Sequence, residues 1–382
     1  MASSTKLMPF LLWALVQIPS LRALTKYAPQ PEFTVPVFLL ITAIATYWLW
    51  HQWPRPWLQK IVSTPWPTLF MLSAFTTAAA FIYPRADALS KVGRGSDADN
   101  AIIDAAQAFW NGSHMYSVET YFNNPISPGP GWVLLASPLV LAGVYWLLTP
   151  FLLGLTAQVL RKTTGSWQVP NALMLILGSS LAWWELTVVG GDLPALSCAL
   201  LILAALTHTI KTPTQLIVIA LLMGVVATSR IVLFYLPVLY ALILWSKNPR
   251  WAVTYALVAG ATCLGLHSFF AMTSAGSYPP LHLLGKGGSI MPTKAKVAAL
   301  FICGAAGIEI LRQIFQHRVT SFSQHVYVLW LGIFTPLSLV ALADLIFTRS
   351  GEFNIWEGAN YLFPPLLCGV TLILLRLPKQ IR

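Results

Sequence analysis

The sequence predicts an all-α fold, a polytopic bundle of about 11 to 12 transmembrane helices. Only 9% of the 382 residues are charged, whereas soluble domains contain about 25%, so the chain cannot cover itself with a solvated surface. Apolar runs of about 17 to 25 residues recur, and a helix of that length crosses the roughly 30 Å of bilayer hydrocarbon with its backbone groups paired internally. A bilayer is therefore the expected solvent.

The predicted spans follow one another along the whole chain. They cover residues 8–23, 34–51, 65–83, 132–158, 171–189, 193–209, 214–229, 231–246, 251–272, 297–311, 325–347 and 360–376. The first run is short for a span, so a signal peptide or an interfacial helix would explain it equally well. No repeat and no inverted pair of broken helices is recognisable, which makes a single domain over residues 1–382 the simplest organisation.

The net charge of +11 comes from basic residues placed singly between apolar runs rather than on one stripe, so nucleic acid is not an expected partner. Alternate loops carry the basic residues and are predicted to be cytoplasmic: Arg55 and Lys60, Arg161 and Lys162, Lys211, Lys247 and Arg250, Arg312 and Arg318, and the basic C-terminus. The intervening loops collect most of the acids. The predicted location is a plasma or inner membrane, with the acidic segments on its extracytoplasmic face.

The long segment 84–131 is predicted to be an extracytoplasmic catalytic loop. Polar residues recur at helical spacing from Asn100 to Asn111, opposite a stripe of apolar residues, which predicts an amphipathic helix able to lie on a membrane surface. Ser96 is a candidate N-cap, and Asp97 and Asp99 would then be ordinary acids at a helix start. The functional alternative is that one of these carboxylates acts as a general base at the membrane interface.

A Pro-rich stretch, Pro125 to Gly131, then leads into the next apolar run. The whole segment resembles the first extracytoplasmic loop of GT-C type glycosyltransferases, especially the polyprenol-phosphate-mannose-dependent mannosyltransferases and related bacterial membrane proteins. The matching residues are Asp97, Asp99, Ala105, Ala106, Ala108, Gly112, Tyr116, Pro125, Pro128 and Pro130. Where the family often has an aromatic residue soon after the acid, this chain has "DADNAI".

The resemblance implies a membrane glycosyltransferase that moves mannose or a similar sugar from a polyprenyl-phosphate donor to a hydroxyl acceptor on a glycan or glycolipid. It implies inversion at the anomeric carbon, with Asp97 as the base and Asp99 assisting in acceptor or metal contact. Membrane lipids are the other expected partners. No organic cofactor is implied, and a divalent metal remains an open alternative.

A lipid phosphate leaving group requires nearby cations to stabilise its developing charge. The candidates on the outer side are Arg230, Lys286 and Lys294. An Arg at a helix junction needs a partner unless it extends its charged end to the interface, so Arg230 has both a functional and a structural explanation. The Gly-rich stretch around Lys286 is equally compatible with an ordinary flexible loop.

Further polar residues are predicted to bind substrate. Glu185 and Asp192 flank the outer end of a helix pair, although pairing with Arg230 would explain one of them. Tyr361 precedes the last span, where aromatic residues are more often interface anchors. The complete predicted set comprises Asp104, Tyr116, Glu185, Asp192, Arg230, Lys286 and Tyr361.

Two other functions remain alternatives. A transporter or flippase of lipid-linked glycans should carry ionisable residues deep within several spans, whereas the few acids in these runs lie toward their ends. A noncatalytic assembly subunit would keep the fold without the base. The four cysteines show no CxxC spacing and are interpreted as packing residues.

Overall fold

A computed structural model describes residues 4–92, 95–274, 278–281, 290–317 and 319–376. Regular structure among these residues is helical, apart from an isolated bridge between Glu119 and Pro125. The α-helices are α1 Ser4–Gln17, α2 Ser20–Tyr27, α3 Pro31–Gln52, α4 Pro56–Val62, α5 Trp66–Ser90, α6 Asn100–Trp110, α7 Pro130–Leu141, α8 Leu148–Thr164, α9 Gln168–Gly178, α10 Leu181–Val188, α11 Leu193–His208, α12 Pro213–Ala227, α13 Leu236–Trp245, α14 Pro249–Thr273, α15 Thr293–His317, α16 Phe322–Ala343 and α17 Phe363–Arg376.

The helices confirm a polytopic all-α protein, and the described residues contain fewer long unbroken helices than the 11 to 12 predicted spans. Within the described residues, six helices are long and apolar enough to cross a membrane, and up to nine spans result if each of three bent helix pairs counts once. The predicted spans 193–209, 214–229 and 231–246 instead correspond to apolar helices of 10–17 residues. At 1.5 Å per residue such helices fall short of the roughly 30 Å hydrocarbon layer.

Three of the predicted spans are broken by sharp bends. The predicted span 132–158 is the pair α7 and α8, and the helix direction bends by 118° between them. Gly143 in the connection has a left-handed φ of +70°. The spans 8–23 and 171–189 correspond to pairs bent by 53° and 83°. Hydropathy detects the apolar run but not a change of direction, which is why the sequence indicated continuous helices.

The core lies around α11 and α17, where nearly every residue is buried. Both helices are apolar on all sides, as expected for helices surrounded by other helices. Helix α3 represents the opposite case, because none of its residues is buried although the helix is equally apolar. Its apolar surface is suited to contact with lipid.

The two ends of the bundle carry different polar groups. At one end, Lys247 Nζ donates to the carbonyl of His208, and the Nδ1 atoms of His208 and His325 lie 3.0 Å apart. At the other end of α16, Asp344 accepts from the backbone N–H of Gly358. This second end, which also carries residues 95–129, 190–192, 228–230 and 349–361, is called the loop end below.

Helix α5 extends seven residues beyond the predicted span end at residue 83. Its last turns carry Asp87 and Lys91, whose side chains pair at 2.8 Å. Helix α6 lies where the sequence predicts an amphipathic helix, but it begins at Asn100 and Ser96 does not cap it. Helix α6 packs against α7 and buries Ile102 and Ala106 of its apolar stripe, whereas Trp110 at its end is 55% exposed.

Candidate active site

A polar cavity of about 530 Å³ opens at the loop end. Its walls come from α2, the segments before α6 and α7, the turn before α11, and the segment between α16 and α17. The charged side chains in the lining are Arg22, Lys26, Asp97, Asp192, Arg230, Arg349 and Glu357. One cavity therefore brings together segments that are far apart in sequence. These include the acidic loops that the charge pattern assigned to one side of the membrane.

Asp97 is held in the cavity wall by two neutral donors. Its Oδ2 accepts hydrogen bonds from Thr120 Oγ1 at 2.5 Å and from Asn124 Nδ2 at 2.8 Å. The side chain is half-buried, and its Oδ1 accepts no hydrogen bond from a described residue. A carboxylate that is fixed through one oxygen keeps the other for an incoming proton, which is the geometry that a general base needs.

Asp99 has a different environment, although it lies only two residues further on. Asp99 is only 1% exposed to solvent, and Tyr83 Oη donates a 2.7 Å hydrogen bond to its Oδ2. Its Oδ1 is buried and makes no hydrogen bond to a described residue. Burial raises the pKa of Asp99 to about 6, and the hydrogen bond from Tyr83 opposes this rise. Asp99 lies behind the cavity wall, not in its lining.

The turn before α11 approaches Asp99 closely because it contains a glycine. Gly190 has a φ of +72°, and a Cβ atom there would lie 2.7 Å from the Tyr83 ring and 2.9 Å from Asp99 Cβ. Any other residue would add both backbone strain and a steric clash. The turn thereby places Asp192, two residues later, at the cavity.

Arg230 and Asp192 form a buried ion pair in the cavity wall. Arg230 Nη2 lies 2.6 Å from Asp192 Oδ1, and Trp132 Nε1 donates to Asp192 Oδ2 at 2.8 Å. The two charged side chains are 9% and 3% exposed. The prediction that Arg230 has a partner is therefore confirmed, and Asp192 is that partner. Such a pair fixes the guanidinium in one orientation at the edge of the cavity.

The Pro-rich stretch before α7 packs directly on the turn that precedes Arg230. The N–H of Gly129 donates to the carbonyl of Ser229, and the N–H of Trp132 donates to Thr228 Oγ1. A Cβ atom at Gly129 would lie 1.8 Å from the carbonyl oxygen of Thr228. This close approach connects the segment that carries Asp97 to the residue that supplies the cation.

Sequence reasoning missed Arg22. Its Nη2 lies 3.3 Å from Glu185 Oε1, and its Nη1 donates to Asn360 Oδ1 at 2.7 Å. Glu185 is thus paired with Arg22 and does not appear in the cavity lining. The available signal was the position of Arg22 at the end of the first apolar run.

Sequence reasoning also missed Arg349. Its Nη2 donates to Glu357 Oε2 at 2.9 Å, and its Nε lies 3.5 Å from Asp344 Oδ1. A cation in a loop otherwise rich in acids was the signal that could have identified it.

The remaining predicted residues are distributed unevenly. Tyr361 lines the cavity, whereas Asp104 and Tyr116 do not. Tyr116 donates to the carbonyl of Pro128 and packs edge-on against Tyr278, which gives it a structural role in the loop. Burial raises the pKa of Asp104 on α6. Lys286 lies outside the described residues.

Of the predicted cations, Arg230 lines the cavity, and three cations that were not predicted line it as well. Lys294 is exposed at the start of α15 and does not line the cavity, whereas Arg22, Lys26, Arg230 and Arg349 do. In the described ranges, no three His, Cys, Asp or Glu side chains are grouped as metal ligands, and all four cysteines are free thiols.

The comparisons with known proteins gave no match: no family model, no curated protein and no solved structure is detectably similar to this chain.

Proposed function

We propose that the chain is a membrane-embedded glycosyltransferase, which moves a sugar from a polyprenyl-phosphate donor to a hydroxyl acceptor at the loop end. The family resemblance of segment 84–131 suggests the reaction. One structural observation supports it most strongly: a single cavity contains four cationic side chains together with the carboxylate of Asp97, one oxygen of which accepts no hydrogen bond from the described residues.

The division of charge within this cavity suits transfer from a phosphate. The acceptor oxygen would bond to the anomeric carbon while the bond between that carbon and the phosphate oxygen breaks. The hydroxyl proton would pass to Asp97 Oδ1, and the electron pair would leave on the polyprenyl phosphate. Asp97 supplies the base that the first event requires, and the cations stabilise the charge that the second creates.

The two acids of the loop would then have separate roles. Asp97 touches the reacting hydroxyl, whereas Asp99 acts as a positioning residue, because its contacts with Tyr83 and Gly190 hold the start of α6 in place. This assignment replaces the expectation that Asp99 contacts the acceptor or a metal ion.

Purified protein in lipid nanodiscs tests this proposal. It is supplied with a radiolabelled polyprenyl-phosphate sugar and a panel of glycan and glycolipid acceptors. We expect the label to move to an acceptor, with one polyprenyl phosphate released per sugar transferred. Movement of the intact labelled donor across a vesicle membrane, without release of polyprenyl phosphate, would instead indicate a flippase.

A further inference from the structure

A second cavity, of about 640 Å³, forms an apolar groove between α1, α16 and α17. Its lining runs from Ile18 and Trp356 at the loop end to Met8 and Arg376 at the opposite end. The 14 residues of α17 alone correspond to about 20 Å of helix, which is most of the roughly 30 Å hydrocarbon layer. The groove thus follows the direction that a lipid chain takes in a bilayer.

Aromatic rings form one wall of the groove, and a cation–π pair lies at its far end. On α16, Trp330 stacks on Phe334 with ring centroids 4.8 Å apart. Gly369 on α17 lets this wall approach closely, because a Cβ atom there would lie 2.7 Å from Trp330 Nε1. At the far end the Arg376 guanidinium covers the Tyr327 ring at 4.9 Å. Most of the lining side chains are apolar, so the groove suits a linear apolar chain.

The upper end of the groove borders the polar cavity. Ile18 and Pro19 line the groove, and Arg22, one helical turn further along, lines the polar cavity. Between α16 and α17, Trp356 lines the groove and its neighbour Glu357 lines the polar cavity. An amphiphile could therefore place its chain in the groove and its head group beside the cations.

The cations at this border favour an anionic head group. Arg22, Lys26 and Arg349 line the wall of the polar cavity that the groove adjoins. Arg22 and Arg349 are oriented by carboxylates, whereas Lys26 is exposed and forms no ion pair with a described residue. Guanidinium and ammonium groups arranged in this way suit the oxygens of a phosphate monoester.

We infer that the groove between α1, α16 and α17 is the site of the lipid chain of the ligand, whose phosphate lies at Arg22, Lys26 and Arg349. This inference rests on the proposed function for the identity of the lipid as the sugar donor. It adds that the donor enters from the α1 side and that the acceptor approaches from the side of Asp97. Because lipid tails are as apolar as the groove, selection depends on the phosphate and on the shape of the groove.

Photolabelling tests the inference without requiring turnover. The probe is hexadecyl phosphate with a diazirine near the end of its chain, added to the full-length protein in nanodiscs, and peptides are mapped by mass spectrometry. We expect labels on α1, α16 and α17, and at least tenfold less labelling of these helices with the matching neutral alcohol. Equal labelling of the exposed helices α3 and α15 would show annular lipid contact only, and would overturn the inference.

Two matched substitutions locate the chain. Ala14 lines the groove, whereas Ala305 lies on the exposed face of α15. We expect Ala14→Trp to reduce groove labelling about tenfold because it fills the site, and Ala305→Trp to leave it unchanged. Equal labelling in the two variants would contradict the proposed chain position.

The head-group site has its own test. Lys26→Gln removes an exposed charge and breaks no ion pair to a described residue, so the fold should be retained even if Arg22→Gln is unstable. We expect Lys26→Gln to raise the Kd of hexadecyl phosphate about threefold to tenfold, and to leave the Kd of hexadecanol unchanged. An unchanged Kd for the phosphate would remove Lys26 from the site.

Groove labelling without sugar transfer would refute the proposed function alone, whereas transfer without groove labelling would refute this inference alone.

Discussion

At the scale of single residues, Asp97 and Asp99 show how two acids separated by one residue acquire different chemistry. Asp97 accepts two hydrogen bonds from neutral groups at one oxygen and lies at a polar cavity. Asp99 is almost completely buried beside Tyr83, so its charged form is poorly solvated. Charge and spacing in the sequence could not distinguish these environments, because the distinction depends on the position of Gly190 about 90 residues later.

The raised pKa of Asp99 predicts a specific pH dependence of stability. The folded pKa of about 6 exceeds the ordinary value of 3.8, so the ionised carboxyl destabilises the fold above pH 6, and this cost disappears as the pH falls below 3.8. The difference corresponds to about 3 kcal/mol. Asp99→Asn should therefore raise the Tm of detergent-solubilised protein at pH 8 and leave it unchanged near pH 4. A lower Tm at pH 8 would contradict the environment described for Asp99.

Residue patterns predicted some side-chain partners and missed others. The need of Arg230 for a partner followed from its position at a helix junction, and Asp192 meets that need. The pairing of Arg22 with Glu185 joins residues 163 positions apart, and it requires the short helix α2 to pack beside α10. No local pattern in the sequence reports such a contact.

At the scale of helices, runs of apolar residues predicted the existence of the helices better than their course. The longest unbroken helices, such as α14 and α16, coincide with the predicted spans 251–272 and 325–347. The run 132–158 hides a bend of 118°, because the connection between α7 and α8 is itself apolar. The bend follows from a left-handed glycine and from the packing of α7 on α12 and α14, and a hydropathy profile contains neither.

The contact between the entry of α7 and the turn before Arg230 leads to a prediction at the same scale. Gly129→Ala would place a Cβ atom 1.8 Å from the carbonyl oxygen of Thr228, so one of the two segments must move. We expect a loss of about 3 kcal/mol or more of stability, measured by denaturant unfolding in detergent micelles. Gly260→Ala on α14 is the control, because no atom of the described residues lies within 4 Å of its added Cβ atom, and it should be neutral or stabilising. Equal effects of the two substitutions would rule out the tight contact.

At the scale of the whole molecule, the alternation of basic and acidic loops predicts which end of the bundle faces the cytoplasm. The structure provides exposed positions at which this orientation can be tested. The acidic segments assigned to the extracytoplasmic side meet at the polar cavity, while Lys247 lies beside His208 at the opposite end. Thiols introduced at Ser113 and at Lys162, both exposed, should differ in their reactivity in intact cells. Ser113→Cys should react with a membrane-impermeant maleimide, and Lys162→Cys should react only after permeabilisation. The reverse pattern would place the cavity on the cytoplasmic side.

The central claim is that Asp97 is the base of a sugar transfer, and the rate of transfer by Asp97→Asn protein tests it most directly. The substitution preserves the size of the side chain and an oxygen that can accept from Thr120 and Asn124, but it removes the proton acceptor. We expect turnover of a polyprenyl-phosphate sugar to fall by about 10² to 10⁴, with donor binding retained and with Asp104→Asn nearly unaffected. Full activity of Asp97→Asn protein, at unchanged donor affinity, would contradict the account.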